Sequence, residues 1–167
     1  MMEHIIENDW TTKSGLRAVG ILIPDMHRCG YVGVPKEHPL YGLESRDPLP
    51  STLMAEWEQA KEQPVGNRGV MDIFMMAVDG EDVRVGYLFD VHGSITYSGG
   101  MPDYPAESDG LWWFGFGCDH CNDGSLDPHL LMYNTGKPVR SAVFVKQECE
   151  RLADQLAKVT AEKVRQT

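Results

Sequence analysis

The aromatic run LWWFGFGCDHCND at 111–123 constrains the fold of this chain more than any other stretch. Side chains of a β-strand point alternately to its two faces, so the run predicts a strand over 111–117 with one aromatic face. That face ends in a thiol and an imidazole, in the order Trp112, Phe114, Phe116, Cys118 and His120. The other face carries Gly115 and Gly117, and glycine inside a strand indicates that another element packs close to the backbone.

Two apolar segments near the N-terminus predict further strands. The segments 16–23 and 30–34 are each followed by proline, which cannot continue a central strand. Residues 1–15 before them are mixed and polar, and we expect this segment to be partly loose.

The middle of the chain predicts a β-hairpin. The apolar runs 70–78 and 83–91 flank Asp79-Gly80, a favoured hairpin turn dipeptide. A short strand at 95–97 is expected to follow, which makes 70–98 a meander.

Two segments have the pattern of helices. Ser51 is a candidate N-cap for a short inserted helix over about 51–63, which Pro64 ends. Over 141–163, apolar residues recur every three or four positions and predict one long amphipathic helix: Val145, Cys149, Leu152, Leu156 and Val159.

These elements predict a single α+β domain over 1–167. A mostly antiparallel sheet is expected around the 70–98 meander and a strand at 111–118, with the C-terminal helix on one face. A chain of 167 residues is the size of one ordinary domain and is long enough to bury a core.

Charge excludes two classes of partner. The net charge is -10, with 25 acidic and 15 basic side chains and no cluster of lysine and arginine. Duplex nucleic acid and anionic membranes are bound by basic surfaces, so neither is an expected partner. The longest plain apolar run, 73–78, is too short to cross a bilayer. The N-terminal sequence lacks the pattern of a secretion signal, so we expect a cytoplasmic protein with reduced thiols.

Three motifs, GYVGVPKEHPLYG, VHGSITYSG and WWFGFGCDH, together resemble those of a family of small bacteriophage-encoded proteins. The resemblance spans about 29 to the C-terminal helix, apart from the insertion at 49–64. It implies a phage accessory protein that acts in the cytoplasm of an infected bacterium, and it implies no particular activity.

The family pattern falls on three groups of residues in this chain. They are His38, Pro39, Tyr41 and Gly42; His92, Gly93, Thr96 and Tyr97; and Phe114, Gly115, Phe116, Cys118, His120 and Asp123. The chain departs from the pattern at Gly117, where the family favours aspartate, and at Cys121, where a small residue that is no ligand is usual.

The first functional hypothesis is recognition of a small nucleotide-like ligand, for example a signalling nucleotide of host defence that the protein sequesters. Aromatic faces can hold bases, and a binding pocket needs only a few convergent polar groups. The predicted ligand-binding residues are His38, Tyr41, His92, Tyr97, Cys118 and His120.

The second hypothesis is a cysteine hydrolase. Cys118 would be the nucleophile, His92 or His120 its base, and Asp90 the group that orients His92. Cys118 and His120 are two positions apart on one predicted strand, so their side chains would point in parallel directions and could not easily form a hydrogen bond. His92, from another strand, is therefore the better partner for Cys118.

A zinc site and a protein–protein inhibitor are the remaining alternatives. Cys118, His120 and Cys121 resemble half of a zinc site, and Cys29 with the nearby His27 is the candidate for the other half. The acidic composition is compatible with a decoy that docks on a basic host enzyme, although the acidic residues are interspersed and form no dense run. Apart from a possible zinc ion, the sequence indicates no cofactor.

Overall fold

The computed structural model describes residues 3–62, 66, 68–80, 82–119, 123–126 and 137–159. The strands are β1 (Ile5–Thr11), β2 (Arg17–Leu22), β3 (Arg28–Val34), β4 (Tyr97–Gly99) and β5 (Trp112–Gly117). The α-helices are α1 (Met54–Ala60), α2 (Val70–Asp79) and α3 (Ala142–Lys158), and short 3-10 turns lie at Ser51–Leu53 and Val85–Leu88.

The five strands form one antiparallel sheet in the order β1-β2-β3-β5-β4, and α3 packs against it. The prediction of an α+β fold with a mostly antiparallel sheet under a long C-terminal helix is therefore confirmed. The predicted strands at 16–23, 30–34 and 111–117 and the helix that begins near Ser51 are also present. Ser141 caps α3 by accepting a hydrogen bond from the backbone N–H of Phe144.

One face of the sheet, here called the helix face, holds the larger core. The aromatic stripe of β5 is on this face, where Phe114 and Phe116 are buried against α3 and Cys118 continues the row. The helix contributes the apolar side chains that the periodicity predicted, namely Val145, Cys149, Leu152, Leu156 and Val159. Burial of this apolar stripe is the main reason that α3 lies where it does.

The opposite face, here called the tyrosine face, is covered by the loop that leads into β5. Tyr31 and Tyr97 project from this face and Tyr104 comes down from the loop, with ring centroids 5.4 Å apart in each pair. Trp113 is fully buried beneath them. The two aromatic faces of β5 are therefore both core.

The predicted hairpin at 70–91 is wrong. Residues 70–79 form α2, and 85–88 form a 3-10 turn. Periodicity cannot separate a short continuous apolar run in a strand from one in a helix. The segment VMDIFMMAVD contains three methionines, a residue type that favours helix. Gly80, with φ 61°, follows the last turn of the helix rather than forming a hairpin turn.

The expectation of a loose N-terminal segment is also wrong, because β1 is an edge strand paired along β2. Its polar side chains have partners: Asp9 pairs with Arg17, and Glu7 pairs with Arg28. The last strand predicted at 95–97 lies instead at Tyr97–Gly99. Within the described ranges, no helix is long and apolar enough to span a membrane.

Candidate functional site

A buried aspartate pairs with a histidine and an arginine at the N-terminal end of α3. The carboxylate of Asp123 accepts hydrogen bonds from Nε2 of His92 at 2.8 Å and from Nε of Arg140 at 2.7 Å. The Asp123 side chain is 0% exposed. The ring of Phe144 lies edge-on to His92 and under the Arg140 guanidinium, so α3 supplies an apolar wall.

The segment 90–92 runs along α3 and is fastened to it by polar contacts. The backbone N–H of His92 donates to the carboxylate of Glu148 at 2.9 Å, and that of Asp90 donates to the side chain of Gln155 at 2.8 Å. Arg151 bridges the two carboxylates, because it donates to Glu148 and, at 2.9 Å, to Asp90. Polar contacts thus fasten the segment 90–92 to α3 between Glu148 and Gln155.

The hydrolase hypothesis chose a different carboxylate from the one that binds His92 in the structure. Asp90 was predicted to orient His92, but its carboxylate lies on Arg151, and Asp123 holds Nε2 of His92. Residues two positions apart on a strand share a face, and this spacing suggested Asp90 as the partner of His92. The segment is instead irregular and follows a 3-10 turn, so the spacing does not apply.

Cys118 is buried, at 1% exposure, on the helix face. Burial and the neighbouring Asp123 carboxylate raise the pKa of its thiol well above the usual range. A nucleophilic cysteine needs the opposite environment, which favours the thiolate. The surroundings of Cys118 therefore favour a packing role over nucleophilic catalysis.

The predicted zinc ligands are divided between the two faces of the sheet. Cys29 is paired directly across from Gly117 and lies on the tyrosine face, whereas Cys118 belongs to the helix face. Burial raises the pKa of the Cys29 thiol to about 11, which disfavours the thiolate that zinc binds. Among the described residues, no three His, Cys, Asp or Glu side chains are grouped to hold a metal. His120 and Cys121 lie outside the described residues.

The remaining predicted ligand-binding residues do not gather at His92. His38 lies at the C-terminal end of α3, where its Nε2 contacts the carbonyl of Leu156, and Tyr41 lies on Trp112. From Phe144 to Leu156 the helix rises about 18 Å, so His38 and His92 are at opposite ends of α3. Tyr97 is on the tyrosine face.

His38 holds the loop after β3 onto α3, and its hydrogen bonds define its protonation state. Nδ1 accepts a hydrogen bond from the backbone N–H of Leu40, and Nε2 must donate to the carbonyl of Leu156. Both bonds can form only when the ring is neutral with its proton on Nε2. Burial lowers the pKa of His38, consistent with a neutral ring.

We therefore expect His38 to make the folded protein less stable in mild acid. The imidazole of the unfolded chain titrates near 6.5, above its folded pKa. Between the two values only the unfolded chain binds the proton, so the free energy of unfolding falls as pH falls through this window. Urea unfolding from pH 7.5 to 5 should show a steeper loss for the wild type than for His38→Asn, by at most about 1.4 kcal/mol per pH unit. Parallel pH profiles would contradict this role.

A cleft with a volume of about 600 Å³ lies between α1 and α3. Its polar lining includes three cations and three carboxylates: Arg68, Arg151, Lys158, Glu56, Asp90 and Asp154. Leu88, Phe89 and Val159 supply apolar surface. We call this cavity the arginine cleft. Its volume is within the range of small-molecule binding sites.

Arg68 is the most unusual residue of the arginine cleft, since it is an arginine with only 8% exposure. It donates a long hydrogen bond, 3.4 Å, to the carbonyl of Tyr87. Desolvation lowers its pKa, while the carboxylates of Asp90 and Asp72 act in the opposite direction. Two further cations, Arg151 and Lys158, line the same cleft, and their combined positive charge attracts an anion.

Sequence reasoning missed the arginine cleft, although part of its lining had a signal. Arg151, Gln155 and Lys158 recur at helical spacing beside the apolar stripe of α3, and such a polar stripe can line a cleft. Arg68 had no signal, because it lies between two segments whose packing only the tertiary structure defines.

No protein-family model, no curated protein and no solved structure matches this chain. The resemblance to phage-encoded proteins therefore stays a prediction from the three motifs. Several motif residues have structural contacts: His38 fastens a loop, Gly115 lies against the ring of Tyr31, and His92 binds Asp123.

Proposed function

We propose that this protein binds a small nucleotide-like ligand in the arginine cleft and acts by sequestering it. The observation that carries the proposal is the buried guanidinium of Arg68 in a cavity of about 600 Å³, beside the cations Arg151 and Lys158. Guanidinium groups bind phosphate through paired, charge-assisted hydrogen bonds.

The mixed charge of the cleft supports a nucleotide over a simple anion. Three carboxylates lie among the cations, and a carboxylate accepts hydrogen bonds from sugar hydroxyls and from base amino groups. A nucleotide presents a phosphate together with such donors. The apolar surface of Leu88 and Phe89 offers contact for a base or sugar ring.

The aromatic stacking platform of the first hypothesis has less support than the cleft. Trp113 and Phe114 are both 0% exposed, so their rings have no free face for a base. The arginine cleft is therefore a better candidate for the ligand site than the end of β5.

The biological role within this proposal is that of a phage accessory protein in the cytoplasm of an infected cell. The three motifs support the phage origin by resemblance. A binder that lowers the concentration of a host signalling nucleotide needs affinity and no catalysis, which agrees with the buried thiol of Cys118. A hydrolase that uses Cys118 is the weaker alternative, because the raised pKa of that thiol opposes it.

Calorimetric titration tests the proposal with AMP, cyclic nucleotides, ADP-ribose and inorganic phosphate as probes. We expect at least one phosphate compound to bind. Arg68→Met should weaken that binding by about tenfold to a hundredfold, because a charge-assisted hydrogen bond is lost. Lys158→Met is a second variant in the cleft.

The control is Arg17→Met, which removes a cation that pairs with Asp9 on the sheet. Its affinity should equal that of the wild type. The proposal fails if no phosphate compound binds, or if the Arg68 and Lys158 variants both bind as well as the control.

A further inference from the structure

The charged residues of α3 that line the arginine cleft lie along one stripe of the helix. Arg151, Asp154 and Lys158 follow at intervals of three and four residues, a spacing that places their side chains on the same side of a helix. Asp154 and Lys158 are exposed, and the Arg151 side chain is 41% exposed, so a molecule in the cleft can contact all three. The stripe presents a cation, a carboxylate and a second cation, in that order.

The two cations of this stripe are well separated along the helix. The seven residues from Arg151 to Lys158 correspond to a rise of about 10 Å. The Arg151 guanidinium is held by Glu148, one turn toward the N-terminus, and by Asp90 at 2.9 Å, and the contact with Glu148 directs it away from Lys158. A phosphate oxygen accepts a hydrogen bond from a donor at about 2.7–3.2 Å, so two separate phosphates suit these cations better than one.

Asp154 lies between the two cations and decides what can occupy the middle of the stripe. A carboxylate repels a phosphate at short distance. It accepts hydrogen bonds from hydroxyl and amino groups. The middle of the stripe is therefore suited to a sugar or a base, and the two ends are suited to phosphates.

We propose that the cleft selects a nucleotide whose two phosphates lie on opposite sides of the sugar, as in a nucleoside 3',5'-bisphosphate. This proposal rests on the proposed function. The first phosphate binds at the Arg151 end and the second binds Lys158, while Asp154 accepts a hydrogen bond from the part of the ligand between them. A nucleotide with adjacent phosphates places its second phosphate nearer to the Asp154 carboxylate.

Calorimetric titration of the wild type with adenosine 3',5'-bisphosphate, ADP and AMP tests the proposal. We expect the bisphosphate to bind about fivefold more tightly than AMP, the upper end of the range for one exposed ion pair. ADP also carries two phosphates but should gain less over AMP. Asp154→Asn should reduce the difference between ADP and the bisphosphate, because the repelling charge is removed.

Two lysine variants test the second phosphate position. In Lys158→Met the bisphosphate should lose its advantage over AMP, and the exposed position of Lys158 makes a folding defect an unsuitable explanation. Lys146→Met is the matched control on the same helix, because Lys146 is exposed and lies over the ring of Trp10. It should keep the wild-type preference.

The outcomes separate this proposal from the proposed function. If AMP binds and the bisphosphate binds no more tightly, or if ADP binds as tightly as the bisphosphate, the selection is overturned and the proposed function stands. A preference that persists in Lys158→Met also overturns it. Absence of binding by every phosphate compound overturns both proposals.

Discussion

Asp123→Ala should lower the free energy of unfolding by about 3 kcal/mol. The substitution removes a carboxylate that is 0% exposed and leaves the guanidinium of Arg140 and the ring of His92 without their shared acceptor. Loss of one partner of a buried ion pair costs about 3–5 kcal/mol. The lower end is expected here because the Arg140 side chain is 26% exposed and can turn toward solvent.

Urea unfolding followed by tryptophan fluorescence measures this effect. Asp119→Ala is the matched control, since Asp119 lies only four residues away and its side chain is 56% exposed. It should change stability by less than about 0.5 kcal/mol. Asp123→Asn keeps the shape and one acceptor oxygen, so its loss should be intermediate. Equal stability of the Asp123 and Asp119 variants would show that the buried pair contributes nothing to the fold.

Gly30→Ala should destabilise the protein by about 3 kcal/mol, at the upper end of the range for an overpacked core. A Cβ at this position would lie 2.6 Å from Cζ of Phe116 and 2.7 Å from Sγ of Cys149. Neither neighbour can move easily, because Phe116 is in the adjacent strand and Cys149 is in the part of α3 that covers it. The methyl group would therefore push the helix from the sheet.

Gly20 offers a matched control, since it pairs directly with Gly30 and faces the same helix. A Cβ there would be 3.3 Å from Cγ1 of Val145, a contact that a small shift relieves. Gly20→Ala should change the free energy of unfolding by less than about 1 kcal/mol. Adding Cys149→Ala to Gly30→Ala should restore part of the lost stability by removing the sulfur. Equal losses at the two glycines would contradict the close approach.

The helix α3 connects the buried Asp123 pair and the close contact at Gly30 with the arginine cleft. Glu148 and Arg151 lie between the Asp123 pair and the arginine cleft, and Arg151 itself lines the cleft. Gly30 fixes the distance of the same helix from the sheet. The position of α3 thus sets both the stability of the core and the shape of the cleft.

The sequence by itself determined the elements whose side chains repeat with a clear period. The alternation in 112–117 defined β5, and the three-to-four-residue spacing from Val145 to Val159 defined α3, because each period corresponds to one kind of backbone. The fold class followed from these elements. The run at 70–79 is a short continuous apolar segment, and the period of such a segment does not separate strand from helix.

The tertiary structure alone decided which polar residues meet. Asp123 rather than Asp90 binds His92, and Arg68 and Arg151 line the same cleft, although these residues are far apart in the chain. Pairing of this kind depends on how α3 crosses the sheet and on the paths of the loops. A local sequence pattern predicts the direction of a side chain within its own helix or strand. It does not predict where a second helix, strand or loop lies beside that side chain.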